Sequence, residues 1–181
     1  APGKPGVATL LEAARAHEKP FLVHLSDAAI YGSPGAPGRP ALEEEPADPG
    51  RDPLLLQRVA EEARLRTADV PNVVLRLFGL LASGAPPTRF PQDVLDSLLD
   101  GEEVVLASDE PRDLLHLSDA VHGILAALAL RPAGRTVNLG SGRGVAPSLV
   151  LHLLGNRAFR PVRFRVSGQA VRPPLVADLA L

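Results

Sequence analysis

Apolar residues along this chain recur in two rhythms, and the switches between them mark out its elements. Leu10, Leu11, Ala13 and Ala14 fall at helical spacing ahead of Lys19-Pro20, which stops a helix, so the pattern predicts a helix over 5–17. Phe21-Leu22-Val23-His24-Leu25 is a short apolar run of strand formers, expected as a central strand buried on both faces of a parallel sheet. Leu54, Leu55, Val59 and Ala63, interleaved with Arg and Glu, predict an amphipathic helix over 53–67, and a second buried strand follows at 73–78. Strand and helix alternate, as in a βαβ crossover.

Farther along, helices are predicted at 92–99, at 118–130 behind a Ser/Asp cap, and near 147–154, with strands at 103–106, 136–139 and 162–166. The Gly- and Pro-rich stretches 32–53 and 79–91 read as loops, the first on the surface, and 140–144, which looks like a phosphate cradle but follows a late strand without a Lys-Ser/Thr partner, reads more simply as a turn. The expected fold is α/β, one core with a parallel sheet flanked by helices.

Composition narrows the function. Of 181 residues, 45% are hydrophobic and 22% charged, which a folded chain needs and a disordered one lacks, in spite of 19 prolines and 16 glycines. A net charge of −2 supplies no field for nucleic acid or an anionic membrane, and 3% aromatic residues supply few stacking platforms. Cysteine is absent, and the five histidines show no metal-ligand spacing, so no metal is expected. No run of about 18 apolar residues and no leader is present, so a cytoplasmic location is expected. With no Met anywhere, the sequence is expected to be a processed or trimmed piece, and its Ala, Arg and Pro usage resembles that of a high-GC bacterium.

Seven segments then match one family in order. Residues 21–32, FLVHLSDAAIYG, resemble the strand and turn "fvhxSSxxvYG" of the extended short-chain dehydrogenases/reductases, the NAD-dependent nucleotide-sugar epimerases and dehydratases. Residues 6–15, GVATLLEAAR, are similar to "GTxNLLEAAR", 76–78 to "RxFN", and 101–106, GEEVVL, to "Gexvxl". Residues 112–119, RDLLHLSD, resemble "RDFxHVxD", 137–142, VNLGSG, resemble "yNlGsG", and 172–178, RPPLVAD, the late "RpxxxxxD". Nothing resembles the family's opening strand and glycine-rich turn, which bring backbone N–H groups to the dinucleotide pyrophosphate. The resemblance therefore implies the C-terminal two-thirds of such a fold, a single truncated domain. Residues 1–91 and 118–142 would form its Rossmann-like part, and 92–117 and 143–181 its substrate-domain-like part.

The resemblance also assigns the chemistry position by position. The family uses a Tyr as proton donor or acceptor, a Lys one helical turn later to lower the pKa of that Tyr, and a Ser or Thr on the substrate oxygen. Leu54 stands where the Tyr belongs, Arg58 where the Lys belongs, and Asp27 where the Ser belongs, with Ser26 just before it. Leucine cannot ionise, an Arg guanidinium stays protonated, and a carboxylate repels an oxyanion. Tyr31, the only tyrosine, is expected to pack at the start of the loop. Arg112 and Arg172 match the family arginines that meet the diphosphate of a nucleotide sugar, although Arg112 could instead cap or pair with Asp113 or Asp119. Gly79 replaces the family Asn, the acidic run 43–45 reads as a solvated loop, and an Asp27 pairing with that run has no fixed separation.

Two functions follow from the resemblance. One is a binding or scaffolding subunit without catalysis of its own. The other is an NAD- or NADP-dependent epimerase, dehydratase or reductase on a nucleotide sugar, completed by other residues or another chain. Either allows a homodimer built on 5–17 and 53–67, or a partner chain covering the missing half.

Overall fold

The computed structural model describes residues 6–18, 20–32, 40–82, 90, 92–168 and 175–179. They form helices α1 (Val7–Ala16), α2 (Pro53–Arg66), α3 (Gln92–Asp100), α4 (Leu117–Leu130) and α5 (Pro147–Ala158). The strands are β1 (Leu22–Asp27), β2 (Asn72–Leu77), β3 (Gly79–Leu81), β4 (Val104–Leu106), β5 (Arg112–His116), β6 (Arg135–Leu139), β7 (Gly144–Val145) and β8 (Phe164–Val166). The chain divides into two compact units, one of Ala1–Gly32, Leu42–Phe78 and Ser118–Leu139, the other of Ser33–Ala41, Gly79–Leu117 and Gly140–Leu181.

The first unit is a parallel three-stranded sheet in the order β1-β2-β6, with Leu25 opposite Leu75 and Leu75 opposite Val137. Alternate side chains of β2 serve opposite faces. Val74 packs with Val7, Leu11 and Ala14 of α1 and Leu65 of α2, while Val73 and Leu75 pack with Ala127 of α4. Helix α2 starts sharply because Pro53 occupies its first turn and the Asp52 carboxylate accepts the N–H groups of Leu54 and Leu55 at 2.9 and 3.3 Å.

The second unit sets β5 between β3, parallel, and β7, antiparallel, and pairs β4 with β8 in parallel. Its core gathers Val94 and Leu98 of α3, Val104 and Leu106 of β4, and Leu151 of α5.

The α/β architecture and its parallel sheet agree with the sequence reading, and several local expectations are corrected. The strand at 21–25, expected to be central, lies at the edge of the described sheet with Leu25 41% exposed. The central strand is β2, whose first five residues are all buried. The expected loop 79–91 opens with β3, and the 140–144 turn runs into β7. These strands span two or three residues, too few for an alternation to show in sequence. Ala41, inside the expected surface loop, is fully buried and bridges to Ala177.

Candidate functional site

Within the first unit, a layer of polar and charged side chains lies between the sheet and α2. Arg76 on β2 is buried and meets Glu62 of α2 through Nη2 at 2.8 Å and through Nε at 3.3 Å to both carboxylate oxygens. Its Nη1 donates to the Glu43 carbonyl at 3.2 Å, and its guanidinium lies 4.7 Å from the Tyr31 ring centroid. The Tyr31 hydroxyl donates to Asn138 Oδ1 at 2.7 Å, and the Asn138 N–H donates to the Glu43 carboxylate at 2.7 Å. Burial works against the charge on Arg76, but Glu62 and Tyr31 hold its pKa above the ordinary value. Burial likewise raises the Tyr31 pKa, against its hydrogen bonds with Arg76 and Asn138.

Four of the positions assigned by resemblance, those at 26, 27, 54 and 58, belong to this unit. Ser26 is 4% exposed, and its hydroxyl makes no hydrogen bond among the described residues. The Asp27 carboxylate accepts the Ala29 N–H at 2.9 Å and caps the 3-10 turn Ala28–Tyr31. Leu54 and Arg58 stand one turn apart on α2, the spacing of a Tyr and Lys that share a helix face. Leu54 is 51% exposed, and Arg58 Nη1 donates to Glu61 Oε2 at 3.0 Å. Tyr31 is buried at the end of the 3-10 turn, where the loop begins, and so packs at the loop start as expected from sequence. Glu43 departs from the solvated-loop expectation, because an uncapped strand amide and a buried guanidinium both draw on it.

His24 Nε2 lies 3.7 Å from the Glu61 carboxylate that Arg58 also holds. Burial lowers the His24 pKa below 6.5, assisted by Arg58 and opposed by Glu61 and Glu62. Burial tends to raise the Glu61 pKa, but hydrogen bonds from Gln57 and Arg58 and the charges of Arg58 and His24 bring it below 4.5. A His whose folded pKa is depressed takes up a proton more readily when unfolded. Its contribution to stability is therefore complete above pH 6.5 and declines as the pH falls below that value. Urea midpoints are expected to drop between about pH 7.5 and about pH 5.5, and His24→Gln to flatten that slope. An unchanged slope in the variant contradicts the assignment.

In the second unit, Arg112 is exposed on β5 with its guanidinium 5.8 Å from the Phe90 ring centroid, and it forms no ion pair among the described residues. A local pairing with Asp113 is excluded by what Asp113 already holds, namely the N–H groups of Ser141, Gly142 and Ala177 and the Ser141 hydroxyl. The same bonds account for the 140–144 turn, since N–H groups engaged by a carboxylate cannot cradle a phosphate. Phe90, Val105, Leu106, Ser108, Arg112 and Pro147 line a depression of about 40 Å³ beside α5, small against the roughly 300 Å³ of an ordinary ligand pocket. Gly79 stands where the family has Asn, and a Cβ there would come within 2.7 Å of the Asp113 carbonyl, so β3 and β5 leave no room for a side chain. Arg172 lies outside the described residues.

Sequence reasoning overlooked Glu61, Glu62 and Asn138, and weighed Asp113 only as a local partner of Arg112. A usable signal was present for Glu62, because Arg76 interrupts an apolar β-run and so requires a buried counter-charge. Among the described residues no group of three or more His, Asp or Glu is placed to hold a metal ion, and no helix is long and apolar enough to cross a membrane.

The chain is 32% identical over 158 residues to the dTDP-6-deoxy-L-talose 4-dehydrogenase (NAD(P)(+)) of Kitasatospora kifunensis, covering 80% of this chain and 49% of that protein. It is 31% identical over 150 residues to a dTDP-glucose 4,6-dehydratase of an Actinoplanes species, covering 76% and 44%. The crystal structure of Bacillus anthracis dTDP-glucose 4,6-dehydratase in complex with NAD superimposes with a TM-score of 0.82 at 21% identity, covering 95% of this chain and 57% of that one. The chain thus spans about half the length of the curated relatives it matches. The family model for the NAD dependent epimerase/dehydratase family matches residues 5–140, three-quarters of the chain, and the chain belongs to that family.

Proposed function

We propose that this chain is a binding subunit of the nucleotide-sugar type that carries no catalysis of its own. One observation carries the reading. The α2 face that would present a Tyr and Lys one turn apart presents Leu54, exposed and without an ionisable group, and Arg58, engaged by Glu61. At the Ser position the Asp27 carboxylate is committed to a backbone cap. Arg112, exposed and without an ionic partner among the described residues, supplies a cation for a diphosphate. Apolar exposure supports association with another chain. Leu117, Val121, Leu125 and Leu128 recur along one side of α4 and are all exposed, and the outer edge of β1 carries exposed Leu25. The partner is a second copy or a chain that covers this face. Residues of α1 and α2 such as Leu10, Leu54 and Leu56 are likewise exposed and fit a homodimer.

A second reading is favoured by the relatives, two of which are named as dTDP-sugar enzymes, one of them with NAD(P)(+). In it, the chain supplies the substrate side of an NAD- or NADP-dependent enzyme acting on a nucleotide sugar. Calorimetric titration with dTDP, NAD(H) and NADP(H) separates the two. The binding reading expects dTDP to bind in the micromolar range, Arg112→Ala to weaken it about tenfold, and neither dinucleotide to bind. Micromolar binding of a dinucleotide replaces it with the enzyme reading, and no binding of dTDP removes the nucleotide-sugar assignment.

A further inference from the structure

We propose that Asp113 is the positioning residue for Arg112. Its buried carboxylate ties down the two chain segments that flank the Arg112 backbone, and so fixes where the guanidinium meets an anion. The inference rests on the reading that Arg112 contacts a diphosphate, and it deepens that reading.

Asp113 is only 2% exposed. Its Oδ1 accepts the Ser141 N–H and hydroxyl, each at 2.7 Å, and its Oδ2 accepts the Gly142 N–H at 2.9 Å and the Ala177 N–H at 3.1 Å. A carboxylate offers about four acceptor positions, and all are filled here. The donors belong to two segments. The first runs on into β7, where Val145 pairs with Arg112. The second contains Leu175, which also bridges to Arg112 and whose carbonyl accepts the Asp113 N–H at 3.3 Å.

Successive strand residues point to opposite faces, so Asp113 turns inward where Arg112 turns outward to solvent. The anchor and the cation are therefore back to back on one strand, and both backbone neighbours of the cation are held by the anchor. The carboxylate also has no slack. A Cβ on Gly140 would lie 2.6 Å from its Oδ2 and 2.8 Å from the Ala177 Cβ. An asparagine in its place keeps the shape but has one acceptor oxygen instead of two, and turns an NH2 group toward N–H donors.

The test is a double-mutant cycle on the full chain, read by calorimetric titration with dTDP. Asp113→Asn is expected to raise the Kd about tenfold, Arg112→Ala to raise it by a similar factor, and the double variant to bind no more weakly than Arg112→Ala alone. That loss of additivity is what a merely structural role would not produce. Ser141→Ala, which removes one donor and leaves its N–H in place, is expected to raise the Kd about threefold and to have no effect once Arg112 is gone. If Asp113→Asn does not fold, Ser141→Ala decides by the same comparison. A fall in melting temperature with an unchanged Kd overturns the inference, as do effects that multiply. Absence of dTDP binding by the unsubstituted chain overturns the diphosphate reading and this inference with it, and is recognised before any substitution is made.

Discussion

Replacing Glu62 by alanine is expected to destabilise its unit by about 3–5 kcal/mol, the effect of removing one partner from a buried ion pair. The Glu62 and Arg76 side chains are 3% and 4% exposed, so water cannot take over the solvation of the guanidinium that is left behind. The remaining contacts do not neutralise it either, because the Glu43 carbonyl and the Tyr31 ring offer partial charge only. The chain has a single tyrosine and no tryptophan, and Tyr31 lies against Arg76, so tyrosine emission followed through a urea titration reports on this unit. A fall in the midpoint with an unchanged slope is the expected result. A loss below about 1 kcal/mol would show that the network is solvated and that the polar layer does not organise the unit. Glu62→Gln keeps an acceptor at the same place and is expected to lose less.

The same layer shows what could be read in the sequence. The helices at 5–17, 53–67 and 118–130 and the strands at 73–78 and 136–139 were legible because each is long enough for its period to register. The 21–25 strand reads as central because its composition is apolar, yet composition does not say how many neighbours a strand has, and β1 pairs only with β2 among the described residues. Strands β3 and β7 were missed because two or three residues are too few for an alternation to show, and for β5 the visible feature was the motif at 112–119.

The candidate site was legible only where it matched a family pattern. Leu54, Arg58, Asp27, Ser26 and Arg112 could be placed in advance, and the structure puts Leu54 and Arg58 on one helix as expected. The partners of these residues could not be. That Glu61 engages Arg58, that Asp113 is saturated by N–H groups and that Glu43 reaches the Asn138 amide are all contacts between segments remote in sequence. Single positions reveal residue type, whereas pairing depends on which elements the fold stacks together.

On the proposed reading, the largest effect on function is expected at the positions that resemble the family's catalytic ones. General acid–base catalysis by a positioned side chain contributes roughly 10²–10⁴-fold, and the proposed reading has Leu54, where the family has its Tyr, forfeit it. Arg58 does not restore it, since a guanidinium remains protonated and here already pairs with Glu61, and Asp27 supplies a negative charge where an oxygen is to be stabilised. The most direct test is to incubate the purified chain with dTDP-glucose and NAD(H) or NADP(H) and follow hydride transfer and the appearance of keto or epimerised sugar over hours. No product above that formed without protein is expected. Turnover at an ordinary enzymatic rate, roughly 1 s⁻¹ or faster, would contradict it and would require a proton-transfer group other than the residues at 27, 54 and 58.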